Sequence, residues 1–465
     1  MDAALEKRLK RQVIGKPHLF LAVVPLGFEQ TLVEELTSIC QENSSQESIS
    51  FHVIGDGKVE FSAKIVDVWK VVAYTRIANR VLMHVGDFKA ENFRELEKKA
   101  AEIPWELYLP SGPVTPDTVA IHVTCKHSRL YHSDAIAERL YNVINTCHPR
   151  EGGDLPLATA TSSWRPQSRH LLAFSAELPQ NLFVTLIDDR CTLWLDLAGE
   201  ELYKRGHERH VNDAPLKETI AAAMLFEVSA LVAAPIAVFD LMAGSGTFSL
   251  EAAYKASGLI PGVCRDFALK HQPAFKPATW NHIVTPKHNA SPDVTQQREA
   301  QVCPLAAITT SDISEHAISI IRHNVESSPL ASLPQGANAP AIAPQIKDFF
   351  NYTAQDIANT SPAGTRPAIL LNPPYGKRLY FDAPKLYTQI GHKLSELARE
   401  LKAAGKPLTV AILAPKDDTR AGAKYTCTAN LLRECPMLDP AKNAQAKNII
   451  TSHGGLTLNT FIAAL

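Results

Sequence analysis

Much is missing from this 465-residue sequence, and each absence excludes something. The 8 cysteines are scattered, with no Cys-x-x-Cys pair, which speaks for reduced thiols against a disulfide frame or a zinc site. No apolar run approaches the length of a membrane-spanning helix. Lys7, Arg8, Lys10, Arg11 and Lys16 are not followed by an apolar core and small-residue cleavage site, so no secretory leader is expected and a cytoplasmic location is. There is no excess of charge of one sign: the net charge is −1, so a nucleic-acid partner has to be held by local basic patches. No internal repeat is visible, no histidine pair has metal-binding spacing, and serine and cysteine nucleophile signatures are lacking. No metal is expected.

What is present is ordinary for a globular protein, with 45% hydrophobic and 20% charged residues. The chain is too long for one core, so two or three domains are expected. Up to about residue 200 the pattern is α+β. Phe20–Val24 reads as a strand, Gly27-Phe28-Glu29 opens an amphipathic helix, and Val59-Glu60-Phe61 precedes a helix over Ile65–Tyr74. Thr118–Thr124 alternates as a strand, and a helix is expected from Asp134 to Ile144. Phe183–Ile187 and Cys191–Leu195 flank Asp188-Asp189-Arg190 as a hairpin. The stretch 151–170 reads as a loop, and polar insertions are expected near 285–301 and 327–341.

From Pro235 the pattern becomes strand, glycine turn and helix, repeated. Strands are expected at Ile236–Phe239, Ala307–Thr310, near Ile346, at Ile369 and at Leu408–Leu413, with a helix from Ser314 to Val325. Such alternation implies a mostly parallel sheet with helices on both faces. At the end, two runs split by Gly454-Gly455 read as a terminal antiparallel hairpin.

Four strand ends carry chemistry. Asp240 precedes Ala243-Gly244-Ser245-Gly246-Thr247, whose glycines let backbone pass close to a ligand. A nicotinamide dinucleotide fits poorly, because Ser249 stands where a third glycine or alanine belongs. The acidic residue ahead of the turn suits a cationic ligand such as S-adenosylmethionine. Asp312 can hold a ribose or cap the next helix, and Asp348 can meet an adenine amino group or be an ordinary loop residue. Finally, Ala368–Leu371 runs into Asn372-Pro373-Pro374-Tyr375, where two prolines forbid helix and hold an amide, two carbonyls and a ring together. That cluster can accept bonds from a planar amino group and stack on the ring bearing it. Ahead of the sheet, Lys204, Arg205 and Arg209 can face phosphates, or form a solvated linker, and Pro215, Lys217 and Glu218 can border the cofactor at a helix start. Lys126, His127, Arg129 and Tyr131 suit RNA backbone and stacking contacts, or form a polar loop.

Taken together and in this order, Leu202–Leu225, Asp240–Glu251, Ser311-Asp312-Ile313 and Leu371–Leu379 resemble the THUMP-domain class I RNA methyltransferases, most nearly those acting on guanine N2 of large-subunit ribosomal RNA. Leu21–Leu36 and Lys126–Glu138 resemble that family's ferredoxin-like and THUMP regions, and Gly258–Gly262 with Ala278-Thr279-Trp280 its insertion. The resemblance implies an α/β protein with a ferredoxin-like region at 1–65, a THUMP RNA-binding domain at 66–200 and a Rossmann-like methyltransferase domain at 201–465, with one catalytic site. It implies S-adenosylmethionine as methyl donor and ribosomal RNA as partner. It makes Asn372, Pro373, Pro374 and Tyr375 catalytic, adds Ile313 and Asn372 to the cofactor site and turns Lys377 and Arg378 toward RNA. Adenine N6 in RNA or DNA, guanine N2 in transfer RNA, and a non-catalytic RNA-binding assembly factor are the alternatives.

Overall fold

The computed structural model describes residues 3–41, 49–147, 178–212, 215–285, 305–333, 340–375, 382–417 and 426–465. The loop expected at 151–170, nearly all of the insertion expected at 285–301, and Lys377 and Arg378 lie outside them.

The first sheet comprises β1 (Pro17–Val23), β2 (Phe51–Gly55), β3 (Lys58–Lys64), β4 (Arg80–Lys89), β5 (Val119–Lys126), β6 (Gln180–Ile187) and β7 (Arg190–Asp196), in the order β2-β3-β1-β4-β7-β6-β5. Every pair is antiparallel except β5 with β6. The helix Ile65–Tyr74 forms as expected. The hairpin between β6 and β7 turns at Asp188 and Asp189, with φ of 50° and 62°. Aspartate tolerates this left-handed backbone better than most residues. Strand β4 pairs with β1 on one side and β7 on the other. The sheet therefore runs unbroken past residue 65, where the family resemblance implies a domain boundary.

The second sheet comprises β8 (Ile236–Asp240), β9 (Leu305–Asp312), β10 (Gln345–Ile346), β11 (Arg366–Leu371), β12 (Thr409–Pro415), β13 (Ala446–His453) and β14 (Leu456–Ala464). Its order is β10-β9-β8-β11-β12-β14-β13. Five strands are parallel, and the terminal hairpin pairs antiparallel through β14. The chain moves outward from β8 through β9 to β10, then returns to β11 on the other side of β8. That reversal puts a crevice at the carboxyl ends of β8 and β11, where ligands bind in open α/β sheets. The strands are apolar on both faces, as buried parallel strands must be. In β11, Ala368 and Leu370 join a core shared with the first sheet, whereas Ile369 and Leu371 pack under the helix Ala383–Ala403 on the opposite face. No helix among the described residues is long and apolar enough to cross a membrane.

A desolvated charge cluster also joins the halves. Glu251, 1% exposed in the helix Thr247–Ala256, receives Arg205 through two bonds of 3.0 and 3.1 Å. Arg76, just beyond the helix Ile65–Tyr74, approaches the same carboxylate at 3.7 Å. Removing one partner from such a cluster leaves uncompensated buried charge. Glu251→Gln should therefore cost about 3–5 kcal/mol in urea unfolding. A loss below about 1 kcal/mol, the value of an exposed pair, would contradict this account.

Candidate active site

The glycine turn follows β8 directly. Gly244 and Gly246 sit at φ of 56° and 78°, backbone that other residues rarely adopt. A Cβ at Gly244 would meet only Asn212 Nδ2, at 3.8 Å, so the turn faces open space. Ala243 N–H donates to Ser311 O at 3.0 Å, tying the turn to β9. Gly244 N–H donates to Asp312 Oδ2, and Ser314 N–H to Asp312 Oδ1, both at 2.9 Å. Each Asp312 oxygen thus keeps a lone pair for a ligand hydroxyl. Beside it Ile313 is 72% exposed, an apolar side chain open to a ring. Asp348, beyond β10, accepts from Phe350 N–H and opens a short helical turn.

Asp240 differs from expectation. It is buried, and its Oδ2 accepts both the N–H and the hydroxyl of Ser249, at 3.1 and 2.8 Å. Strand alternation is the reason: Asp240 shares the face of Ile236 and Val238, toward the helix Thr247–Ala256, rather than the crevice. It braces the turn from behind. The carboxylate at the open end is Asp312.

The segment ahead of the sheet also departs from expectation. Arg205, His207 and Arg209 point inward, whereas Lys204, Gly206, Glu208 and His210 are exposed. Inward and outward positions alternate along this irregular segment, which bends at Gly206 with φ of 87°. Arg205 is spent on Glu251 and the carbonyls of Leu202 and Arg76, so it does not face phosphates. Arg209 bonds Glu218, Thr247 Oγ1 and, at 3.2 Å, Ser245 Oγ, so it holds the glycine turn from inside. Burial pulls its guanidinium down to about 10. Only Lys204 remains exposed, paired with Glu200 at 3.0 Å. Pro215 O takes a bond of 2.7 Å from His453 Nε2, and Lys217 lies over the Tyr203 ring at 4.6 Å. Asn324 was not foreseen. Fully buried, it donates to Ser245 O at 3.0 Å and exchanges bonds with the His210 backbone.

On the other side of the crevice stands Asn372. Strand register sets Leu370 opposite Asp240, so Asn372 lies two residues beyond the β8 end. Its Oδ1 is buried and has no hydrogen-bond partner among the described residues. Such an acceptor is costly to leave unmade. Pro373 is buried and Pro374 exposed, and neither has an N–H to turn inward and satisfy it. Burial pushes the Tyr375 hydroxyl up to about 12, so it stays neutral and offers a ring rather than a base.

Residues 205–410 match the family model described as RMKL-like, methyltransferase domain. The chain is 27% identical over 397 residues to the ribosomal RNA large subunit methyltransferase K/L of Allochromatium vinosum, covering 82% of this chain and 46% of that one. It thus spans about half the length of that relative. It is 25% identical over 385 residues to a putative RNA methyltransferase of Synechocystis, covering 82% of this chain and 86% of the relative. Among solved structures, a possible methylase from Clostridium difficile aligns at TM-score 0.66 and 21% identity over 96% of this chain and 98% of that one. A putative methyltransferase solved with SAH aligns at 0.66 and 20%, with the same coverage. These likenesses show the fold: an α/β protein with a Rossmann-like, class I methyltransferase C-terminal half.

The remaining sequence candidates lie in the first sheet. Lys126, His127, Arg129 and Tyr131 line one recess with Cys125, Ser128 and Asp189. Tyr131 is 67% exposed. Arg129 is paired with Glu91, and its Nε lies 3.8 Å from Asp189 Oδ2, so its charge is partly spent.

Burial pushes the Asp240 carboxyl up to about 7, against the two Ser249 bonds and with some help from Asp312. A carboxyl raised above its unfolded value of about 3.9 contributes stability below that value and loses it as pH rises. The loss is complete once pH passes about 7. Asp240→Asn, neutral throughout, should gain melting temperature relative to the parent chain by several degrees between pH 5 and pH 8. A difference that stays flat across that range would refute the assignment.

Proposed function

We propose that this protein transfers a methyl group from S-adenosylmethionine to the exocyclic amino group of a nucleobase in RNA, with guanine N2 of large-subunit ribosomal RNA as the target. The observation that carries the reading is the buried Asn372 Oδ1, without a hydrogen-bond partner among the described residues, just beyond the end of β11 where it flanks β8. The residues present fit the donor. The open turn at Gly244 admits backbone contact, Asp312 retains lone pairs for ribose hydroxyls, and exposed Ile313 offers an apolar wall. Bound there, S-adenosylmethionine supplies an electrophilic methyl group.

The chain's own residues do the rest. An amino nitrogen on guanine or adenine is a poor nucleophile because its lone pair is delocalised into the ring. Asn372 Oδ1 and the Pro373 carbonyl accept its two N–H bonds and draw the nitrogen toward tetrahedral geometry. As positive charge develops there, the same acceptors stabilise it most. Tyr375 stacks on the base, and fixing both reactants supplies much of the rate. Because Tyr375 stays protonated, the proton leaves to solvent after transfer. A paired base has to be extruded to reach this pocket. The first sheet, with Lys126, His127, Arg129 and Tyr131, is assigned to holding the RNA. Preference for guanine over adenine rests on the sequence resemblance alone, and preference for ribosomal over transfer RNA on that resemblance and on the relatives' names.

Asn372→Ala should lower methyl transfer to unmodified ribosomal RNA by about 10²–10³, the loss typical of one preorganised group. Cofactor affinity by calorimetry should stay within about twofold, because the lost group faces the base. Turnover at the parent rate would sink the catalytic assignment. Nucleoside analysis of the product should give N2-methylguanosine; N6-methyladenosine would overturn the base while leaving the amine chemistry standing.

A further inference from the structure

The outward face of the segment that carries Arg205 and Arg209 holds a second constellation. In extended chain, residues two apart point the same way, so Glu208 and His210 emerge together on the solvent side. They meet His323, in the last turn of the helix Glu315–Glu326. The rings of His210 and His323 stack at 3.8 Å between centroids and 12° between planes. Glu208 Oε1 lies 3.4 Å from His210 Nε2. One ligand atom from each of the three residues falls within 4.8 Å of the other two.

Two observations make this more than a crowded surface. His323 Nε2 is buried without a hydrogen-bond partner among the described residues, so these desolvate a strong ligand atom and leave it unused. The backbone beneath is fixed as well. Ser327 Oγ donates to Glu208 O at 3.1 Å, while His210 N–H donates to Asn324 Oδ1 at 2.8 Å and Asn324 Nδ2 to His210 O at 2.9 Å. Segment and helix are therefore held in register whether or not anything binds between the side chains.

We propose that Glu208, His210 and His323 bind one divalent transition-metal ion of the zinc class. Two imidazoles and a carboxylate are a donor set that zinc takes with nitrogen and oxygen ligands at about 2.0–2.2 Å, water completing the tetrahedron. His210 is exposed and its segment has no regular structure, so its ring can rotate out of the stack to aim its lone pair. Magnesium and calcium, which demand oxygen ligands, do not suit the set. The expectation of no metal rested on sequence spacing, which does not bring residues 208 and 323 together. The same three-residue stretch anchors Arg209 to the glycine turn, so a bound ion cross-links the wall behind that turn to the helix Glu315–Glu326.

The test uses the full chain stripped with chelator and titrated with zinc ion alone by calorimetry, beside His323→Ala and His210→Ala. The expected result is a zinc site near one equivalent whose affinity falls at least tenfold in each variant, while magnesium gives no heat. Because His210 is exposed, that variant tests the site even if His323→Ala fails to fold. Equal zinc affinity and stoichiometry in the parent and His210→Ala, or no binding by the parent, would overturn the proposal. Neither result depends on methyl transfer.

Discussion

Glu251 is a carboxylate with almost no access to water, and two guanidinium groups share it. One comes from the first sheet's region, the other from the segment linking the two sheets, and the carboxylate itself belongs to the helix that the glycine turn begins. Each charge is expensive to bury alone and tolerable only in company. The cluster therefore fixes three pieces of chain at once. With Arg205 anchored, the segment delivers Arg209 to Ser245, Thr247 and Glu218, and the turn is braced from beneath. The basic character of residues 204–209 is thus architectural at its inward positions, and what remains outside is a different chemistry altogether.

The same division between struts and open groups runs through the crevice. Asp240 and Ser249 bond one another, Asn324 bonds backbone, and Arg209 bonds the side chains of Glu218, Ser245 and Thr247. Asp312, Ile313 and Asn372 keep capacity for something else, as spare lone pairs, exposed apolar surface and an unused acceptor. These two classes look alike in a motif, because both sit beside the same strand ends. Only the direction of each side chain separates them: Asp240 turns behind β8, whereas Asp312 and Asn372 stand at the open ends of β9 and β11. The Asn372 acceptor is the clearest instance: the strand buries it, and the prolines that follow deny it a backbone donor.

Repeated local signals made the C-terminal half legible. Apolar runs of strand length, glycines after the first of them and Gly454-Gly455 near the end each report on their own neighbourhood, and they agree with the observed sheet. The N-terminal half was harder for identifiable reasons. Strand β4 welds the first sheet into one body, yet a bulge between His84 and Gly86 breaks its alternation, and Asp87 interrupts its apolar pattern. Without β4 the chain divides naturally near residue 65; with it, the division falls inside a sheet. Arg205 and Arg209 were misread for a related reason. Composition marks 204–210 as a basic linker, but the period of two shows which cations go inward. That signal was present in the sequence and becomes decisive once buried carboxylates at 218 and 251 are known to await them.

The two halves are joined too tightly for a hinge, and this bears on how a large substrate is positioned. Domains in one chain move relative to one another by default unless their interface is large and hydrophobic. Here one apolar cluster runs from Phe20 and Phe61 of the first sheet through Ile220 and Met224 to Val238 and Leu370 of the second. Thr31 donates to Glu227 at 2.6 Å, and Lys447 reaches the same carboxylate at 2.8 Å. Gly27 comes so close that a Cβ there would stand 2.3 Å from the Ile450 carbonyl. A scaffold bonded in this way holds the recess around Tyr131 at a fixed reach from Asn372. On the proposed reading, selection of a nucleotide then comes from the shape of the RNA spanning that fixed distance, and the cost of distortion falls on the RNA, whose base must leave its stack, rather than on the protein.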